Sequence, residues 1–265
     1  VPTIAVDGID LFYERLGDGP RLLFCNGSGT TIDTSRPLID YFARSFEVVV
    51  HDQRGLGRTS VPDAPSAMGD FAADAVALLD HVGWDACRVF GVSFGGMVAL
   101  ELAVTAPERI ERLALACTSA GGAGGSSYPL HELADLPPAQ RAERGMAILD
   151  TRFTAAWLDD HPTDRGIVEM QAARSTAPKS DEQRRGERLQ LEARRGHDVF
   201  DRLGTITAPT LVTAGRYDGI APPANSEAIV AGIGASADLR LYDGGHLFFI
   251  QDGAALPDVV AFLGT

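Results

Sequence analysis

Two hydrophobic rhythms alternate along the first half of the chain. Thr3 to Val6 and Leu11 to Leu16 are short, largely apolar runs on either side of Asp7-Gly8, which predicts an opening hairpin. Arg21 to Cys25 and Phe46 to His51 are short, nearly continuous apolar runs, as expected of buried strands in a largely parallel sheet. Between them, Pro37 to Arg44 predicts a helix with Ser35 as its cap. Phe71, Ala75, Leu78, Leu79 and Val82 recur at helical spacing and predict an amphipathic helix that ends at Gly83. Cys87 to Gly91, Gly95 to Thr105 and Arg112 to Ala116 then read as strand, helix and strand. This order predicts an α/β fold with helices on both faces of the sheet.

The rhythm stops at Ser119 to Ser127, which is too rich in glycine for a regular element. From about Pro137 to about Leu203 several helices are predicted and no strand. Within that stretch, Asp181 to Arg195 has the charge density of a solvated helical face. The sheet pattern resumes at Pro209 to Gly215. A helix around Ala224 to Ile233, a strand Asp238 to Tyr242 and a helix near Pro257 to Leu263 follow. One core, residues 1–118 and 206–265, is therefore expected to carry a helical insertion over residues 119–205.

Composition narrows the partners. The 265 residues hold 23 Lys and Arg against 36 Asp and Glu, a net charge of −13 that repels nucleic acid and anionic membrane surfaces. No apolar run approaches the roughly 20 residues that span a bilayer. Val1 to Asp7 lacks a basic segment followed by an apolar one, so no signal peptide is expected. Cys25, Cys87 and Cys117 sit in apolar runs without metal-ligand spacing, and they predict buried free thiols in a cytoplasmic protein.

The strongest chemical signal is Gly91-Val92-Ser93-Phe94-Gly95, a G-x-S-x-G between a predicted strand and a predicted helix. Such a turn strains the serine backbone, lifts its Oγ clear of the sheet and sets it at a helix N-terminus, where amides can bind developing negative charge. A serine hydroxyl needs a base. In chain order the acid and then the histidine follow the serine, which selects Asp218, after the strand at Pro209 to Gly215, and His246, after the last strand. Asp243 is the weaker alternative acid. His51, His81, His131, His161 and His197 fit the base position less well. The second oxyanion donor, beside the amide of Phe94, is expected in Asn26-Gly27-Ser28-Gly29, with Ser28 the candidate.

With these motifs in place, the whole chain resembles the α/β-hydrolase superfamily. Asn26-Gly27-Ser28-Gly29 is similar to the family's His-Gly loop, and Asp52-Gln53-Arg54-Gly55-Leu56-Gly57-Arg58-Thr59-Ser60 to its D-x-R-G-x-G-x-S turn. Ala208 to Leu211 through Asp218, and Gly245-His246, resemble the later blocks. The resemblance implies a mostly parallel twisted sheet of about eight strands with an inserted helical cap. It also implies structural roles for Asp52 and Arg54, and His197 is expected to be structural as well. Asn26 stands where the family usually has histidine, as in the 3-oxoadipate enol-lactonase branch. Aspartate-nucleophile relatives are excluded by Ser93. Met146, Leu149, Phe153 and Trp157 of the cap are the candidate pocket residues.

These features point to a serine hydrolase of a small carboxylic ester or lactone that works through an acyl-enzyme, without cofactor or metal. The same triad would serve a hydrolase of activated C–C bonds or a perhydrolase, and the scaffold also serves as a small-molecule receptor. A substrate with a free carboxylate would need a cation in the pocket; Arg152 and Arg216 are the candidates by position. Neither arginine is compelling in sequence, and the net negative charge favours a neutral substrate. Oligomeric state is not legible.

Overall fold

The computed structural model describes residues 2–265, the side chains at 134, 135 and 138 excepted. The opening hairpin is β1 (Thr3–Val6) and β2 (Ile9–Leu16). The two apolar runs form β3 (Arg21–Cys25) and β4 (Glu47–His51), which pair in parallel. The helix between them, α1 (Ile32–Ala43), begins well before the expected start at Pro37, and its cap is Thr31, not Ser35. Thr31 Oγ1 accepts from the Thr34 amide, and Thr34 Oγ1 accepts from the Thr31 amide. Asp52 Oδ1 takes the Ile32 N–H at 2.7 Å. These bonds satisfy the first free amides of the helix and outweigh the one bond that Pro37 cannot make.

The chain continues through α2 (Met68–His81), β5 (Cys87–Val92), α3 (Phe94–Thr105) and β6 (Ile110–Ala116). The insertion follows as α4 (Pro138–Leu149), α5 (Ala155–Asp160), α6 (Pro162–Thr176) and α7 (Asp181–Arg195). A bridge between Gly121 and Asp198 joins its two ends. The core then closes with β7 (Thr210–Gly215), α8 (Pro223–Ile233), β8 (Ala237–Tyr242), the short α9 (Phe248–Gln251) and α10 (Ala255–Gly264).

The eight strands lie in the order β1-β2-β4-β3-β5-β6-β7-β8. β2 runs antiparallel to both of its neighbours, and from β4 to β8 all pairs are parallel. Each face of the sheet buries its own apolar cluster. One includes Leu78 of α2, Leu100 of α3 and Ile229 of α8, and the other includes Phe42 of α1 and Val259 of α10. On the second face the Phe24, Phe42 and Phe90 rings pack with centroids 4.7–5.8 Å apart. Each such ring contributes about 1.5–3 kcal/mol by leaving water. The β5 to α3 turn, the β7 loop and the β8 loop all open at the C-terminal edge of the parallel strands, the edge where sites form in this architecture. Among the described residues, no helix is long and apolar enough to cross a membrane.

Candidate active site

Ser93 ends β5 and caps α3 with φ 55° and ψ −116°, a conformation that costs about 1–3 kcal/mol for a residue with a side chain. The surroundings hold it there. Its N–H donates to the Ala116 carbonyl at 2.8 Å, and its carbonyl accepts from Thr118 Oγ1 at 2.8 Å and from the Gly96 N–H at 2.9 Å. Glycine is required on both sides of the turn. A Cβ at Gly91 would stand 2.5 Å from the Gly95 carbonyl oxygen, and one at Gly95 would collide with the Cys25 carbonyl oxygen.

His246 and Asp218 arrive from the loops after β8 and β7. Ser93 Oγ lies 3.0 Å from His246 Nε2, and His246 Nδ1 lies 2.8 Å from Asp218 Oδ2. An N–H on Nδ1 donating to the carboxylate leaves Nε2 as an acceptor facing the serine hydroxyl. The other carboxylate oxygen accepts the Ile220 and Ala221 amides, each at 2.8 Å, so Asp218 is fixed from both ends. Asp218 and His246 are both buried. The alternative acid, Asp243, is exposed and pairs with Arg152 at 2.8 Å.

A metal at this place would draw on Cys117, Asp218 and His246, whose ligand atoms lie within 4.8 Å of one another. Burial pushes the Cys117 thiol well up, with the Asp218 charge adding to the effect, so it is a protonated and poor ligand. The existing Asp218–His246 bond fits proton transfer better than coordination.

The loop expected to complete the site lies against the elbow: a Cβ on Gly27 would stand 3.7 Å from Ser93 Cβ. Among the described residues, neither the Ser28 nor the Phe94 amide donates to a protein acceptor, so both are free for an oxyanion. Both polar atoms of the Asn26 side chain, and Ser28 Oγ, are buried without a protein partner. Asp52 and Arg54 are structural, as the resemblance implied. Asp52 Oδ2 accepts the Arg58 amide at 2.9 Å, and Arg54 forks onto Asp74 at 2.8 and 2.7 Å. His197 is structural too: its Nε2 bonds the Ser119 carbonyl at 3.1 Å, and burial lowers its pKa to about 4.

The cap is joined to the acid and histidine loops through main chain. The His246 N–H donates to the Leu149 carbonyl at 2.6 Å, Gly219 N–H to Ile148 O at 3.0 Å, and Thr151 N–H to Tyr217 O at 2.9 Å. Gln251, which drew no attention in the sequence, accepts the Gly245 amide at 2.8 Å and donates to Asp150 and Asp164 of the cap. Leu149 and Phe153 pack with Ile148 and Ile220 in the cap's own apolar cluster, with Met146 and Trp157 against it. Trp157 also stacks on His161 and bonds Asp164.

A cavity of about 320 Å³ opens elsewhere, between α3 and α7, and none of those four residues lines it. Met97, Ser119, Leu191, Arg194 and His197 do. Met97 lies one turn along α3 from Ser93, and its amide reaches the Ser93 carbonyl at 3.3 Å. The arginine in this cavity is neither of the two expected. Arg152 is held by Asp150 and Asp243 and lies over the Tyr217 ring, and Arg216 is exposed. Arg194 donates to the Tyr128 carbonyl, and among the described residues no carboxylate pairs with it. Burial alone lowers its pKa to about 10, so it keeps its charge at neutral pH.

Residues 20–253 match the family described as alpha/beta hydrolase fold. The chain is 29% identical to 3-oxoadipate enol-lactonase 2 of Acinetobacter baylyi, over 97% of this chain and 94% of that protein. It is 30% identical to a poly(3-hydroxyalkanoate) depolymerase of Ectopseudomonas oleovorans, over 92% of this chain and 84% of the relative. A crystal structure of a hydrolase from Pseudomonas aeruginosa PA01 superposes with a TM-score of 0.81 at 31% identity, covering 100% of this chain and 98% of that one.

Proposed function

The chain belongs to the alpha/beta hydrolase fold family, and from that premise we propose that it hydrolyses a small carboxylic ester or lactone through an acyl-enzyme on Ser93. The observation that carries this reading is the unbroken chain from Ser93 Oγ to His246 at 3.0 Å and on to Asp218 at 2.8 Å. His246 Nε2 takes the hydroxyl proton as Oγ attacks the carbonyl carbon. Asp218 stabilises the imidazolium, and the Ser28 and Phe94 amides bind the oxyanion. Collapse breaks the acyl C–O bond, and the departing alkoxide takes the proton from His246. Water then gives a proton to His246 and attacks the acyl carbon; collapse breaks the bond from that carbon to Ser93 Oγ, which takes the proton back from His246. In a lactone the departing hydroxyl stays tethered to the acyl group.

The similarity to an enol-lactonase and to a poly(3-hydroxyalkanoate) depolymerase supports an oxygen ester, and 31% identity to a putative carbamate hydrolase of Variovorax paradoxus makes a carbamate the second acyl group to test. None of Ser28, Ser93, Phe94, Asp218 and His246 lines the cavity beside α3, so only an acyl part that extends past Met97 would enter it. There the unpaired charge of Arg194 supports an acyl chain bearing a carboxylate, against the neutral substrate favoured by net charge. A guanidinium with free donors gains most from a planar anion in a desolvated site. Glu132, also at the cavity, is exposed.

The test is a panel of chromogenic esters and of lactones with and without a carboxylate. A vinylogous diketone and a peracid assay are included for the C–C and perhydrolase chemistries. Wild type is expected to turn over the esters many times, and Ser93→Ala to lose about 10⁴-fold or more while folding normally. Undiminished turnover by Ser93→Ala refutes the nucleophile. Ligand binding without turnover would identify a receptor.

A further inference from the structure

Two glutamines close a hydrogen-bonded ring around the loop that carries the Ser28 amide. Gln53 Nε2 donates to the Asn26 carbonyl oxygen at 2.8 Å. Gln190 Nε2 donates to Gln53 Oε1 at 2.5 Å, and the Gly29 N–H donates to Gln190 Oε1 at 2.8 Å. The backbone groups at the two ends dictate how both amides must lie. Gly29 N–H can only donate, so it faces an oxygen of Gln190. The nitrogen of Gln190 then faces an oxygen of Gln53, whose own nitrogen meets the Asn26 carbonyl. Asn26, Gln53 and Gln190 are all at most 1% exposed, so water cannot replace the Asn26–Gln53 or Gln53–Gln190 link, whereas Gly29 at the other end is exposed.

Gln190 belongs to α7 of the cap. Its approach is set one turn earlier, where Gly186 lies on the backbone of Gly55: a Cβ on Gly186 would collide with the Gly55 carbonyl oxygen. Arg185 Nη2 donates to the Pro62 carbonyl at 2.7 Å and fastens the same helix to the same stretch of core. With α7 seated this way, Gln190 reaches both ends of the Asn26–Gly29 loop. Gly27 and Ser28 lie between the two tied ends, with Gly27 against the elbow. Any displacement of the loop is therefore a displacement of the Ser28 N–H relative to Ser93.

We propose that Gln190 is a positioning residue: acting through Gln53 and Gly29, it lets the cap set the place of the Ser28 oxyanion donor. The proposal rests on the reading of Ser93 as nucleophile and Ser28 as donor. It goes beyond that reading because the cap then governs the rate of bond cleavage as well as the fit of the substrate. A purely structural Gln190 would alter stability and leave the turnover of folded enzyme unchanged.

Gln190→Met keeps the side chain's length and removes both of its hydrogen bonds. With p-nitrophenyl acetate, kcat should fall about 10–100-fold while KM stays within about threefold, since a single oxyanion donor is worth ~10²–10³ in rate and must be closely placed. A kcat within about threefold of wild type, or a loss carried by KM, overturns the proposal. Gln190→Glu adds a pH signature. The protonated carboxyl can still accept from Gly29 and donate to Gln53, whereas the ionised form has no donor. Its kcat relative to wild type should therefore rise as pH is lowered, and a flat ratio overturns the proposal even if the methionine variant fails to fold. Exchange of the Gly29 amide, followed by NMR, needs no turnover. It should be at least about tenfold faster in Gln190→Met, and equal exchange overturns the clamp. If wild type hydrolyses no ester, the proposed function fails by itself while the exchange result still decides for or against the clamp.

Discussion

On the α1 side of the sheet, Phe24, Phe42, Phe46 and Phe90 pack ring against ring with almost no exposed surface. The cap has nothing comparable. Its fully buried apolar cluster is Ile148, Leu149, Phe153 and one core residue, Ile220. Apart from Ala193, Val199 and Leu203, which pack into the core's own cluster, it is joined to the core by directed polar groups: main-chain bonds at Ile148 to Thr151, Gln251 on one side and Gln190 on the other. Apolar burial is non-directional and gives stability. Hydrogen bonds contribute less net stability but fix positions closely. The core should therefore govern whether the protein folds, and the cap attachments how well the site is assembled.

The largest expected effect lies where the two regions meet. Asp218→Asn should lower kcat by about 10³–10⁴-fold with little change in fold, because an amide cannot both accept the Ile220 and Ala221 amides and accept from His246 Nδ1. Steady-state kinetics beside a circular dichroism spectrum checks this, and an active Asp218→Asn with an inactive Asp243→Asn would move the acid.

Next comes the contrast between two phenylalanines. Phe42→Ala should cost about 3–5 kcal/mol in urea unfolding while kcat of the folded enzyme stays within about twofold. Phe153→Ala, in the smaller cluster beneath the His246 loop, should cost less stability than Phe42→Ala and lower kcat/KM more than Phe42→Ala does. The reverse order in either measurement breaks the division of labour.

Arg194→Gln sharpens the account of the cavity. Glutamine can still donate to the Tyr128 carbonyl, so only the charge and the fork are lost. The variant should lose about 10–100-fold in kcat/KM for a carboxylate-bearing ester and less than about threefold for its neutral analogue. Equal losses for the two substrates would make Arg194 a structural tie.

Stability should also depend on pH. Burial lowers His51 in the core and His197 at the base of the cap from 6.5 to about 4. Between those values the unfolded chain binds more protons than the folded one. Stability is therefore intact above the unfolded value and is lost as pH falls toward about 4, with a slope of up to ~1.4 kcal/mol per pH unit for each histidine. Urea midpoints from pH 7 to pH 4.5 should show this, and His51→Gln should reduce the slope. An unchanged slope would place the acid sensitivity elsewhere.

Much of the core was legible because its signals are local. The apolar runs at β3, β4, β5 and β7 fall within one or two residues of the strands, since strand burial is written in consecutive residues. The elbow was legible because its glycines mark the tight turn within five residues, although the atom that Gly95 makes room for is the Cys25 carbonyl oxygen of β3. Asp218 and His246 could be chosen by chain order, though only the fold brings His246 to Ser93 across 153 residues of sequence and to Asp218 across 28. The helix at Ile32 was read short because its cap depends partly on Asp52, a partner outside the window that propensity sees.

The cap is the opposite case. Helices over residues 137–203 followed from composition and spacing, but their attachments depend on single polar side chains that carry no period. Gln190 meets Gln53 across 137 positions and Gly29 across 161, and nothing near Gln190 announces either contact. Gly186 was the one available sign, a glycine inside a strongly charged helix where only a close backbone approach justifies it. Arg152 and Arg194 look alike in sequence, yet neighbouring acids neutralise one and leave the other charged in a cavity. By itself, the sequence determined the strands and the elbow, because those depend on neighbours along the chain, and chain order named the candidate triad. Tertiary structure alone decided which amides hold the oxyanion loop and which arginine faces the cavity. A hydrogen bond or an unpaired charge is a property of two distant groups brought within about 3 Å, and neither group encodes the meeting alone.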